Sequence, residues 1–306
     1  MIVKRKVGLL FLIATLSLIL TTLTGPLINK VRRMNETFEF DSHGIPLCQG
    51  RYNPVTISQY AHERADSERL LLIANWLAQR IKKRGDYGVL EYDYPFPLYG
   101  LEPPWVSALA NAEAIKVFIT AFFLTGDSSY LDDAQILLRA FLISVDSGGL
   151  TLKEGPDMWW YAEYARPDPP MVLNGMMIVL LRLNEFYSTT GDTLAISLFR
   201  KGLNSLCHHL DQFDFHGLSR YDLVGRVAGY SYHSLHLKLL RELYGITGCA
   251  KLKRLANRWR SGELFPYRIL IHPGFKELLL LGFNLFLAIL FVVLVQKIRK
   301  ILNNRR

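Results

Sequence analysis

Two uncharged apolar runs, one near each end, constrain this chain more than any other feature. Residues 7–29 hold 23 positions without a charge, dense in Leu and Ile, and 278–296 form a second such run. At 1.5 Å rise per residue, a helix over the first run spans roughly 30 Å, the thickness of a bilayer's hydrocarbon core. A cleaved signal peptide is the competing reading, but the run is long for that role and no clean small-x-small cleavage site follows it. The second run ends in a basic cluster, which a buried core helix has no reason to do. Both are expected to cross a membrane, 7–29 as an uncleaved signal anchor and 278–296 as a second span.

The charge distribution agrees. The formal net charge is +9, yet eleven of the 36 Lys and Arg residues flank the two runs, so that 25 remain between them to face all 27 Asp and Glu. A nearly neutral middle carries no electrostatic footprint for nucleic acid. Lys297, Arg299, Lys300, Arg305 and Arg306 follow the second run and place that end in the cytoplasm by the positive-inside rule. Two spans then put the N-terminus there as well and leave 30–277 outside. Asn35-Glu36-Thr37 is an N-glycosylation sequon for a host that uses it. Cys48, Cys207 and Cys249 are too few and scattered for a disulfide framework or a cysteine zinc site, although one pair is free to form in an oxidising compartment.

Between the spans the pattern is helical. Apolar residues recur at helical spacing over 67–83, 107–124, 130–143, 171–187, 193–213, 231–244 and 250–259, and strand-like alternation is scarce apart from 89–95. Thr125-Gly126-Asp127 and Thr190-Gly191-Asp192 are short stop-and-restart turns at similar places in two helix pairs, a hint of duplication. Helices paired by short turns over some 200 residues predict an all-α fold, an α/α-toroid of helical hairpins flanked by two transmembrane helices, with the domain at 44–262. Toroids of this kind commonly hold polysaccharides in a groove of aromatic and carboxylate side chains.

Aromatic and polar residues collect in four places. Trp159, Trp160, Tyr161 and Tyr164 surround Glu163 between two helices, followed by Arg166, Asp168 and Asn174. Rings on a loop expose apolar area unless a ligand stacks on them, and sugar rings suit that role; capping one end of the core is the alternative. Burial beside rings is expected to raise the Glu163 pKa toward that of a useful base. Tyr221, Asp222, Tyr230, Tyr232, His233 and His236 form the second group. The two histidines have no evident third ligand, so no metal site is expected. Trp105, after Glu102-Pro-Pro, and Tyr52, in Gln49-Gly-Arg-Tyr-Asn-Pro54, mark the other two.

Four stretches, in order, resemble the D-glucuronyl C5-epimerases, which convert D-glucuronate to L-iduronate within heparan-type polysaccharide. They are Asn53-Pro-Val-Thr-Ile-Ser-Gln-Tyr60; Leu101-Glu-Pro-Pro-Trp-Val-Ser-Ala108; Trp160-Tyr-Ala-Glu-Tyr164 with Val172-Leu-Asn-Gly175; and Tyr221-Asp-Leu223 with Tyr232-His-Ser-Leu-His236. The resemblance implies an α/α-barrel catalytic domain acting on a uronate-containing glycan. It implies Glu163 and Tyr232 as the proton-transfer pair, Tyr164 and Tyr221 as active-site tyrosines, and Asn174 and Tyr52 on the substrate. The chain departs from the family in four ways, one being the second membrane span, which the animal enzymes lack. About forty residues stand where the animal enzymes carry a β-sandwich, Ala162 replaces a carboxylate, and Val224 stands where an arginine is expected.

The residues suit that chemistry. Inversion at C5 needs a base on one face, an acid on the other, and a cation or hydrogen-bond donor for the enediolate-like intermediate. Glu163 and Tyr232 fill the first two roles, and Arg226, Arg220 or Arg166 the third. Trp105, Trp160 and His233 complete the expected substrate contacts. No cofactor is required. The expected partners are a uronate polysaccharide and the membrane, with a homodimer left open. A polysaccharide lyase, a hydrolase pairing Glu163 with Asp222, and an inactive glycan-binding subunit are the rival readings.

Overall fold

The computed structural model describes residues 2–34 and 38–303. The Asn35–Thr37 sequon and the basic residues Arg305 and Arg306 lie outside the described residues. Among the described residues eleven α-helices follow one another: α1 (Ile2–Met34), α2 (Pro54–Glu63), α3 (Ser67–Ala78), α4 (Ala108–Thr125), α5 (Ser129–Arg139), α6 (Leu173–Thr190), α7 (Thr193–His209), α8 (Tyr230–Thr247), α9 (Ala250–Trp259), α10 (Phe265–Ile271) and α11 (Phe275–Asn303). They divide into two compact units. One holds 37–215 with 219–257; the other holds the terminal helices, 216–218 and the chain from Arg258 onward.

The first unit is an α/α-toroid arrangement of helical hairpins in two layers. α4 packs on α2 and α6, and α6 packs on α8, making an inner row; α3 and α5 lie against α4, and α7 against α6. α4 is apolar almost all round and buries every residue from Ala108 to Ile115, as a helix enclosed by neighbours must. Helix starts are set by Asn53, Asp66, Ser107 and Asp192, whose side chains accept from the backbone N–H three residues on.

Three hairpin turns are built alike, not two. Gly126, Gly191 and Gly248 each take a left-handed φ (72°, 71° and 65°) that ends the preceding helix. The preceding threonines, Thr125, Thr190 and Thr247, donate to the carbonyl four residues back at 2.8 Å. Each also accepts from the N–H two residues on. The third copy escapes the sequence pattern because Cys249 stands where the others carry aspartate; the threonine and glycine are common to all three, while Asp127 and Asp192 also accept from the N–H of Ser129 and Ala195 at the next helix start. The helix expected over 67–83 ends at Ala78, and Lys82–Arg84 instead pairs as a short strand with Tyr87–Val89; two other expected helices end in a 3₁₀ turn, at Ala140–Leu142 and Leu210–Phe213.

Among the described residues three helical stretches are long and apolar enough to cross a membrane: Val7–Pro26, Ala108–Thr125 and Glu277–Asn303. The middle one is α4, with 67% of its window buried inside its own unit, against 11% and 17% for the other two. In the second unit α1 and α11 pack together, and α10 packs on α1. Asn284 of α11 donates to the hydroxyls of Thr21 (3.2 Å) and Thr24 (3.0 Å) on α1, a polar clasp between the two helices within their apolar runs.

Candidate active site

A short ribbon delivers the carboxylate. Leu152 pairs with Trp160 and Thr151 with Tyr161, after which the chain runs along the start of α4. Ala162 N–H donates to the Leu150 carbonyl (2.8 Å), Ala108 N–H to the Ala162 carbonyl (2.9 Å), and Ala165 N–H to the Val106 carbonyl (3.2 Å). Glu163 and Tyr164 are held between these anchors. Glu163 lines a cavity of about 460 Å³, while its Oε2 is buried with no hydrogen-bond partner. Enclosure pushes its pKa up to about 7, against the opposing effect of a hydrogen bond with Tyr164. A carboxyl group poised there accepts or returns a proton near neutrality.

The space for that carboxyl comes from Gly175, in the first turn of α6. A Cβ at this position would overlap Glu163 Oε2. Gly175→Ala is therefore expected to displace the carboxyl and lower turnover about a hundredfold while the chain still folds. Turnover equal to that of the parent chain would show that the close approach is dispensable.

Rings form the rest of the wall. Tyr92, Tyr94 and Phe96 alternate along extended backbone and line the cavity with Trp105 and Tyr164. Trp105 stacks on Tyr92 (3.8 Å, 6°) and donates through Nε1 to the Tyr94 carbonyl (2.8 Å), and Phe96 stacks on Tyr164 (4.9 Å, 3°). A second cavity, about 320 Å³, shares Phe96 and Tyr164 with the first and adds Tyr221, Arg226 and Tyr232. Tyr164 hydrogen-bonds Tyr221, and the Tyr221 ring meets Tyr232 edge-on at 4.8 Å. Burial is the main cause that raises the Tyr164 and Tyr221 pKa values, with the Glu163 charge adding to it, so both hydroxyls stay protonated. Glu163, Tyr164, Tyr221 and Tyr232 thus form a run along adjoining cavities.

Residues 84–261 match the family described as D-glucuronyl C5-epimerase C-terminus. The chain belongs to this family. A D-glucuronyl C5-epimerase of Caenorhabditis elegans is 28% identical over 67% of this chain and 37% of its own length. An uncharacterized protein of Methanocaldococcus jannaschii is 31% identical over 67% of this chain and 65% of its own. The chain therefore spans less than two thirds of the length of these curated relatives. A GH76 α-mannanase structure from Bacteroides thetaiotaomicron aligns over 83% of this chain and 73% of its own with 12% identity and a TM-score of 0.48. The match begins at residue 84, so the Asn53–Tyr60 motif lies ahead of the epimerase C-terminus region.

Several residues expected on the substrate stand elsewhere. Trp160 is fully buried, stacked on Phe213 at 5.8 Å, and its neighbour Tyr161 is fully buried as well, so the core-cap reading holds for it. His233 is fully buried with Nδ1 2.8 Å from Ser219 Oγ, which also lies 2.8 Å from His236 Nδ1, so the pair holds the chain before Tyr221 rather than facing a cavity. Tyr52 donates to Asp41 (2.8 Å) and packs on Trp76, on the side opposite its neighbours Arg51 and Asn53, which line the Glu163 cavity. Asn174 is buried at the start of α6, its Oδ1 without a partner. Arg226 is ion-paired to the buried Asp222 (Nε to Oδ2, 2.6 Å) and stacked between Tyr99 and Tyr221. Asp222 also accepts from Tyr99 (2.7 Å), which leaves it no role as the second carboxylate of a hydrolase. The alternating run Tyr92-x-Tyr94-x-Phe96 was the readable signal for the wall that sequence reasoning passed over.

Proposed function

We propose that this epimerase-family chain inverts C5 of D-glucuronate, or a related uronate, within a polysaccharide by two-base proton transfer. The observation that carries this reading is the buried Glu163 carboxyl, with its pKa near neutrality, in a ring-walled cavity next to the one that holds Tyr232. Glu163 removes the C5 proton from one face; Tyr232 returns one from the other, and the roles exchange in reverse. Tyr164 and Tyr221 stay protonated and donate hydrogen bonds to the charge that builds on the substrate carboxylate. A third cavity of about 550 Å³, sharing Leu98 with the second, continues the cleft past Arg166 and Asp168 and offers room for neighbouring sugars of a polymer.

Incubation with glucuronate polymers followed by NMR tests the reading: L-iduronate signals should appear. Unsaturated ends absorbing in the near ultraviolet would instead identify a lyase, and retained polymer binding without epimer or cleavage would identify a binding subunit.

The same proposal anchors the chain through α1 and α11, with the helical domain outside the cytoplasm. Cys207 and Cys249 report on that side, because their Sγ atoms are 3.5 Å apart. Outside the cytoplasm, exchange with a disulfide oxidant takes two electrons and two protons from the pair and closes the bond. Alkylation of the denatured, unreduced chain should then find Cys48 as the single free thiol. Three free thiols would contradict the placement.

A further inference from the structure

The Glu163 cavity contains one basic side chain, and it is none of the arginines that sequence reasoning offered for the substrate carboxylate. Among the residues lining this cavity the charged groups are Glu163 and Arg51. Arg226 pairs through Nε with Asp222 and lines the second cavity, with its Nη2 unpartnered; Arg166 donates to the Tyr99 carbonyl (2.6 Å), and Arg220 lies over Phe215. Val224, where the family pattern has arginine, is 71% exposed and lines the third cavity instead.

Arg51 is presented on a stiff support. Cys48 and Arg51 exchange two backbone hydrogen bonds (2.9 and 3.1 Å) across Gln49 and Gly50, both with positive φ (53° and 73°), which is a tight two-residue hairpin. Two residues on, Asn53 caps α2 and lines the same cavity. The guanidinium lies over the Tyr94 ring at 5.1 Å and makes no side-chain hydrogen bond among the described residues. Stacking fixes the plane of the fork and leaves its N–H edge unused.

That edge has a chemical task. Placing a carboxylate ligand beside Glu163 sets two like charges in a cavity walled by rings, which is unfavourable unless a cation lies between or beside them. Taking the proton next to that carboxylate then moves further negative charge onto its oxygens. A guanidinium answers both needs, because two parallel N–H donors match a carboxylate and hold their charge at any working pH.

We propose that Arg51 is the carboxylate-binding residue of this cavity, pairing side-on with the C6 carboxylate of the uronate whose C5 faces Glu163. The proposal rests on the uronate reading above and names the residue that selects for it. In this chain the carboxylate is then held from the hairpin ahead of α2, outside the region matched by the epimerase family.

The test is calorimetric binding by the full chain in detergent, using a glucuronate polymer and the same polymer with its carboxyl groups reduced to alcohols. The parent chain should prefer the carboxylated polymer by tenfold or more, as charge-assisted bidentate pairs do. Arg51→Gln should abolish the preference while leaving affinity for the reduced polymer unchanged. Arg51→Lys, which keeps the charge but loses the fork, should retain part of it. Undiminished preference in Arg51→Gln would overturn the assignment and leave the uronate reading standing. Equal weakening toward both polymers would also overturn it, since stacking or hairpin support would then be the cause. A parent chain with no preference would remove the uronate reading and this proposal together. Because Arg51 is exposed, the variants should unfold at the parent temperature. If Arg51→Gln does not fold, the lysine variant decides: full preference in it contradicts the bidentate pairing.

Discussion

Glu163→Gln should cut inversion by about 10² to 10⁴ while making the protein more stable above neutral pH. Glutamine keeps the shape and cannot accept the C5 proton, and loss of a positioned base costs that much. The stability gain follows from the same burial that prepares the base. A carboxyl whose folded pKa is about 7 holds its proton more tightly than in the unfolded chain, where the value is near 4.5. Raising the pH from about 4.5 to 7 therefore favours unfolding, and above 7 the whole penalty of a buried charge is present. Replacing that charge by a neutral amide should stabilise by about 1–3 kcal/mol at pH 8, with the gain shrinking to nothing below about pH 4.5. Thermal unfolding across that range checks it. The rate of the parent enzyme should fall below about pH 7 in the direction where Glu163 is the base. A variant that stays active, or shows no pH-dependent gain, would mean that Glu163 is neither the base nor a strained buried acid.

Tyr232→Phe should lose inversion by a similar factor, about 10² to 10⁴, for the opposite reason. Phenylalanine preserves the edge-on contact with Tyr221 (4.8 Å, 73°) and removes the transferable proton. Glu163 remains, so the variant should still exchange the C5 hydrogen with solvent on the face it serves, and return the starting epimer. The double variant should be scarcely worse than either single one, because the two groups act as a unit. Multiplicative losses would place Tyr232 outside the proton-transfer step.

The helices and the hairpin turns were legible because their signals are local: apolar spacing, an aspartate or serine at a helix start, a glycine after a threonine. The motif strings also led to Glu163, Tyr164, Tyr221 and Tyr232, which the fold brings to adjoining cavities. Direction along extended backbone was harder to read. Trp160 and Tyr52 sit in aromatic clusters that look like sugar platforms, yet neither lines the Glu163 cavity. Trp160 goes into the core and Tyr52 turns away, while Arg51 and Asn53 take the cavity side. The pairing of Arg226, which lines the Tyr232 cavity, was illegible for a different reason. Its partner Asp222 is four residues earlier and fully buried, and no sequence pattern shows which of two neighbouring charges will be enclosed.

The central claim is that Glu163 and Tyr232 move the C5 proton on opposite faces of the sugar. The most direct measurement is NMR of a glucuronate polymer incubated with the full chain in deuterated water. Each inverted uronate should carry solvent deuterium at C5, Tyr232→Phe should give deuterated residues of unchanged configuration, and Glu163→Gln should give neither from D-glucuronate. Inverted residues that keep their original hydrogen would contradict the account, because the proton would then never have been released to a second, solvent-exchanged acid.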